Sequence, residues 1–229
     1  MASVELSALP NDIIIAIATQ LRRQHSSNVD FLAFILVNKQ WHQLGLRVFY
    51  GNIALTDSTL APFTESFNVL AYGKCVRSLT LKIEATDDET PRQCAAKAEP
   101  TLLSKGLTQL TPLISNFKNL ASFSLCAQGL SRNPVLADRQ PESVPRKNIV
   151  ALLKALPETC TNLELDTRGY DHREEYEQVH MCDAVRAILP RMHNVRIRVG
   201  AMCHEMFGTG EFTPTHLPNL KSLIVNYGA

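Results

Sequence analysis

Four residues near the carboxyl end, His180, Cys182, Cys203 and His204, are of the types that ligate a transition metal, in the close pairs H-x-C and C-H. Adjacent side chains such as Cys203 and His204 rarely converge on one ion, Cys182 falls on a helical apolar stripe, and no C-x-x-C supports them. No metal site and no cofactor are expected. The run Asp171-His172-Arg173-Glu174-Glu175 sets carboxylates beside an imidazole, but acid-base work needs groups that converge in a cleft, and neighbours in a polar run diverge. It reads as a solvated loop. Gly208-Thr209-Gly210 lacks the third glycine and the helix start of a phosphate cradle, and no G-x-S-x-G elbow occurs. No catalytic residue is assigned, and a non-enzymatic role is expected.

The 229 residues are 45% hydrophobic, enough to bury a sizeable core, so disorder is not the default. Lys plus Arg (23) nearly cancel Asp plus Glu (22), and no basic run is longer than Arg22-Arg23, which argues against nucleic acid or an anionic membrane as partner. The start MASVELSALPND is not a secretory signal, and no window approaches the roughly 20 apolar residues of a membrane span. Without a signal, the cysteines at 75, 94, 126, 160, 182 and 203 read as free thiols of a reducing compartment, cytoplasmic or nuclear.

These side chains must be positioned by helices and strands, and the helices come first. Pro10 suits a first helical turn, Asp12 complements the dipole there, and Ile13, Ile14, Ile17 and Leu21 form a stripe. A polar stretch from Arg22 to Asn28 ends this helix. Phe31, Leu32, Ile35 and Leu36 stripe a second helix, which Ser27 or Asn28 could cap, and Asn38 is the N-cap expected for a third, carrying Trp41, Leu44 and Val48. Three helices this short bury too little surface to stand alone.

The series Leu9-Pro10-x-Asp12-Ile13-Ile14-x-x-Ile17, then Leu21, a polar gap and Val37-Asn38-Lys39-x-Trp41 resembles the F-box motif, over residues 6 to about 50. In that family these positions contact a Skp-type adaptor, which links to a cullin and its RING partner. The resemblance therefore implies an adaptor contact at Leu9, Pro10, Ile13, Ile17, Leu21, Val37 and Trp41. Asp12 stands where Glu is commoner, and the link from Arg22 to Asn28 is more basic than usual.

After Trp41 a kernel of apolar, two variable, apolar, one variable, apolar recurs at Tyr50/Ile53/Leu55, Val76/Leu79/Leu81, Leu120/Phe123/Leu125, Cys160/Leu163/Leu165, Met192/Val195/Ile197 and Leu220/Leu223/Val225. Its last two positions alternate as a half-buried strand requires. Helical stripes lie between: Leu60, Phe63, Phe67, Leu70; Leu103, Leu107, Leu110, Ile114, Phe117; Ile149, Leu152, Leu153, Leu156; and Cys182, Val185, Leu189. Kernels are 26, 44, 40, 32 and 28 residues apart, and the long steps contain the polar stretches 84–100 and 131–147, which read as solvated loops. Without them the steps approach the 20 to 29 residues of leucine-rich repeats, a family the kernel resembles, although its usual Asn is absent.

The expected fold is α/β: an F-box-like three-helix unit over 1–50, then an irregular leucine-rich-repeat-like solenoid over 51–229. The chain ends right after the sixth kernel, with no helix to cover Leu223 and Val225, and is expected to be a truncated form of a longer repeat protein. The expected role is recognition: an SCF-type substrate receptor holding an unidentified target on its repeat region. Target contacts are expected in the loops and in Asp166 to Gln178, at Arg168, Tyr170, His172 and Arg173. An F-box-like interaction or structural protein outside a ligase is the alternative, and a small α/β enzyme the weakest reading.

Overall fold

The computed structural model describes residues 9–23, 28–84, 102–128, 144–169, 171–172, 180–200, 202–208 and 214–227. Tyr170 and Arg173, and the side chains of His172 and His204, lie outside the described residues, as does most of the two polar stretches.

Three helices come first: α1 (Asn11–Arg23), α2 (Asn28–Ile35) and α3 (Lys39–Gly51). Asn38 caps α3 as its type and position require, its side-chain oxygen accepting from Trp41 N at 3.0 Å. The inner faces meet in one small cluster of Ile14, Ala18, Phe31, Phe34, Trp41 and Leu44. Phe34 and Trp41 pack with ring centroids 4.7 Å apart. The α2 face differs from the expected stripe. Phe31 and Phe34 point inward, while Leu32 and Leu36 are exposed, because two aromatic rings fill the space against α3 better than the Leu pair does. Gly45 makes the approach possible, since a Cβ there would collide with the Ile35 side chain.

Arg22 fastens the end of α1 to the end of α3. Its guanidinium donates to the carbonyls of Val48, Phe49 and Asn52 and lies 5.5 Å from the Phe49 ring centroid. These are the last acceptors of α3 and the first of the strand that follows, where helix carbonyls lack intrahelical partners and a cation is favoured. Arg22→Ala should therefore lower stability by about 1–2 kcal/mol, less than charged-donor hydrogen bonds can contribute because Arg22 is exposed to screening, read as a midpoint shift in urea. A loss under about 0.5 kcal/mol, the size of a neutral surface change, would remove Arg22 from this role.

From α3 the chain passes directly into β1 (Asn52–Thr56), then α4 (Asp57–Ser66), α5 (Val69–Tyr72), β2 (Ser78–Glu84), α6 (Leu102–Ile114), β3 (Ser122–Gln128), β4 (Val144–Pro145), α7 (Arg146–Ala155), β5 (Asn162–Asp166), β6 (Asp171–His172), α8 (Met181–Ile188), β7 (Asn194–Val199) and β8 (Ser222–Tyr227). Six strands form one open sheet in the order β1-β2-β3-β5-β7-β8, every pair parallel. β4 and β6 form a separate two-stranded parallel ladder.

The kernel predicts this register residue by residue. Ile53, Leu79, Phe123, Leu163, Val195 and Leu223 are successive partners across the sheet, and Leu55, Leu81, Leu125, Leu165, Ile197 and Val225 form the next row. One residue past each kernel start, main-chain bonds link the units in turn. Arg77 N donates to Gly51 O, Ala121 N to Arg77 O, Thr161 N to Ala121 O, His193 N to Thr161 O, and Lys221 N to His193 O. The kernel starts Val76, Leu120, Cys160 and Met192 are buried, and burial pushes the Cys160 thiol up to about 11.

The helical stripes of α6, α7 and α8 are buried as expected and make one core with the inward strand residues. Two expectations fail locally. Leu70 is exposed, because Asn68 caps a new helix, accepting from Ala71 N at 3.1 Å, and the stripe of α4 stops at Phe67. The stretch 131–147 ends earlier than expected: Val144 and Pro145 are buried in β4 and Arg146 opens α7.

Candidate functional site

The three-helix unit has two kinds of apolar residue at the positions expected to contact an adaptor. Ile13 and Val37 are each 45% exposed, and Leu36 beside Val37 is 78% exposed. Leu9, Ile17 and Leu21 are partly buried, packed against the small core, and Pro10 is exposed. Trp41 is different, at 7% exposed and packed within the core, its indole N–H without a hydrogen-bond partner among the described residues. The resemblance groups Trp41 with the contact residues, whereas here the ring is part of the small core and packs on Phe34.

A second surface is the sheet face opposite the helices. Pleating sends the variable positions of each kernel there. One row reads Asn52, Ser78, Ser122, Asn162, Asn194, Ser222, and the next Ala54, Thr80, Ser124, Glu164, Arg196, Ile224. A shallow groove of about 350 Å³ runs over β3, β5, β7 and β8 on this face. Glu164 lies at its centre, accepting from Ser124 Oγ at 2.8 Å and from Arg196 Nη1 at 3.1 Å. Asn194 Nδ2 donates to Asn162 Oδ1 at 2.6 Å. Cys126 neighbours Ser124, and burial raises its thiol above the ordinary range. Such a surface offers oriented donors and acceptors with no converging acid-base pair. None of these residues was expected as a contact, although the single variable position inside each L-x-L carries the signal.

The third place is the turn after β5. Arg168 and Gly169 take positive φ of 49° and 85°, and Arg168 is exposed. Asp171 is not the solvated residue its sequence context suggests. Its side chain is fully buried and accepts from Arg146 Nε at 2.7 Å, from Gly200 N at 2.8 Å and from Thr167 Oγ1. The approach is close, since a Cβ on Gly200 would lie 3.1 Å from Gly169 Cα. Asp171 thus ties α7, the β5 turn and the end of β7 together, and its role is structural.

The metal-capable residues also depart from expectation. The ligand atoms of His180, Cys182 and Cys203 lie within 4.8 Å of one another, because the entry to α8 and the segment after β7 meet edge to edge. Cys203 Sγ is 3.7 Å from His180 Nδ1, and Cys203 N donates to Cys182 Sγ at 3.4 Å.

No family model and no curated protein matches this chain. Among the described residues no helix is long and apolar enough to cross a membrane.

Proposed function

We propose that the chain is a substrate-recognition subunit of an SCF-type ubiquitin ligase, with an F-box-like unit over 1–50 that binds a Skp-type adaptor and a leucine-rich-repeat-like solenoid over 51–229 that holds a target. The observation that carries the first half is the exposure of Ile13, Leu36 and Val37 on a unit whose own core is a handful of residues. Large apolar side chains left in water beside so small a core favour a protein partner. In support of the second half, six parallel strands follow one another in chain order and leave uncovered a face that mixes polar side chains with the exposed Ile224. Such a receptor acts by proximity, raising the effective concentration of a target near the ligase, and contributes no catalytic side chain.

Capture of the full chain from cells with the proteasome inhibited tests this: a Skp-type adaptor and a cullin should co-purify with a target that accumulates on inhibition. Recovery of stable partners without adaptor or cullin would favour an interaction protein outside a ligase. For the target contact, Glu164→Arg together with Arg196→Glu reverses the charges at the centre of the groove while retaining an exposed pair that matters little to stability. Target recovery should fall at least about tenfold, the cost of one lost charge-assisted contact, with adaptor recovery unchanged. Unchanged target recovery would move the contact to Arg168 and the loops.

A further inference from the structure

The segment between β7 and β8 has only one short 3-10 turn, His204–Met206, among its described residues, where the preceding units have a helix. It is held to α8 by polar links: Arg186 Nη1 donates to the carbonyls of Glu205 and Gly208, and Arg186 pairs with Asp183. Between these elements lie His180, Cys182 and Cys203, of which Cys182 is buried, Cys203 partly buried and His180 exposed.

Tetrahedral zinc with bonds of about 2.3 Å to sulfur and 2.0–2.1 Å to nitrogen sets its sulfur and nitrogen ligands about 3.6 Å apart. Cys203 Sγ and His180 Nδ1 are 3.7 Å apart, and the Cys182 sulfur lies within 4.8 Å of both. That spacing needs little movement to close on one ion. The main-chain N–H of Cys203 already points at Cys182 Sγ at 3.4 Å, so the two segments are in register at the sulfur. Two thiolates and a neutral imidazole balance a divalent charge, which suits a partly buried place.

We infer that His180 Nδ1, Cys182 Sγ and Cys203 Sγ form a structural site for a thiophilic divalent cation, zinc or a close analogue, which pins the β7–β8 connection to α8. The fourth position goes to an oxygen. A solvent oxygen can supply it, since the carboxylates of Asp183 and Glu205 group with His180 apart from the two sulfurs and Asp183 is already held by Arg186. Binding deprotonates both thiols, and the released protons pass to solvent. No redox change is involved. The site is independent of the ligase proposal and would stand if that failed.

The test uses the full chain, reduced and free of metal, titrated with zinc against a chromophoric chelator and separately with cobalt(II). One ion per chain is expected, with the sulfur-to-cobalt charge-transfer absorption of a two-thiolate tetrahedral site. Loss of a ligand's hydrogen-bond partner alone costs about 10–100-fold in affinity, so His180→Ala and Cys203→Ser should each weaken binding by about 100-fold or more. His180 is exposed, so its variant should keep the fold, as circular dichroism would verify. Cys75→Ser, outside the cluster, should bind as the unaltered chain does. Failure of the reduced chain to bind zinc, or unaltered affinity in both the His180 and Cys203 variants, would overturn the assignment.

Discussion

Replacing Asp171 with alanine is expected to cost about 3–5 kcal/mol of folding stability, the usual consequence of removing one partner from a buried ion pair. Three donors depend on this carboxylate: the guanidinium of Arg146, the main-chain N–H of Gly200 and the hydroxyl of Thr167. With alanine, the Arg146 charge stays mostly buried without its counterion, and the turn through Arg168 and Gly169 loses the group that fixes it to β7. The acid response carries the same signature. Burial pushes the Asp171 carboxyl up, but the hydrogen bonds from Thr167, Gly200 and Arg146, with the Arg146 charge, outweigh it and hold it below the usual range. A lowered carboxyl contributes stability that is complete above its unfolded value, near pH 4, and is lost as pH falls through the lower folded value. Urea midpoints of the parent chain should therefore fall below about pH 4, and the Asp171→Ala chain should lack that part of the fall. A variant within about 1 kcal/mol of the parent at neutral pH would show that the pair is not the link described.

The second large effect separates two neighbouring isoleucines. Ile14 is fully buried in the helical core, and Ile13 is 45% exposed one residue before it. Ile14→Asp places a carboxylate among Phe and Trp rings with no partner and should cost more than about 4 kcal/mol, unfolding the three helices. Ile13→Asp should change stability by only about 0.5 kcal/mol and still abolish adaptor capture, because the same unpaired carboxylate would be buried only when the adaptor binds. Thermal unfolding and adaptor pull-down on both variants check the pair. A folded Ile13→Asp chain that captures adaptor normally would move the contact face elsewhere on the unit.

Much of the sheet was legible because the kernel acts through the period-2 geometry of a strand. Once Leu79 and Leu81 face the core, their parallel partners in the next unit must do so too, and Phe123 and Leu125 are those partners. The long stripes of α6 and α7 were legible for the same reason at period 3.6. Short elements were not. In α2 an eight-residue helix with apolar residues all round leaves its orientation to packing, which chose Phe31 and Phe34 over Leu32 and Leu36. Asn68 restarts a helix within what reads as one stripe, a local cap overriding periodicity.

The candidate sites were less legible than the fold, because contacts between distant segments decide them. Asp171 sits in a run of charged residues that reads as solvent-facing, and only the approach of Arg146 and Gly200, 25 and 29 residues away, makes it a buried tie. His180 and Cys203 are 23 residues apart, and the close pairs H-x-C and C-H raised a metal site that sequence alone could not show converging. The open sheet face was readable in principle, since the variable positions of six kernels must share it, but each residue taken alone is ordinary for a strand. For the helical unit, the resemblance grouped Ile13 and Val37, which are half-exposed, with Trp41, which is buried against Phe34.

The proposal that this chain serves a ligase rests on the helical unit, and calorimetric titration of the full chain with a purified Skp-type adaptor tests it most directly. Saturable one-to-one binding that Ile13→Asp removes, with the variant still folded, is the result predicted. No heat and no co-elution with the folded parent chain, or binding that Ile13→Asp leaves undiminished, would contradict it.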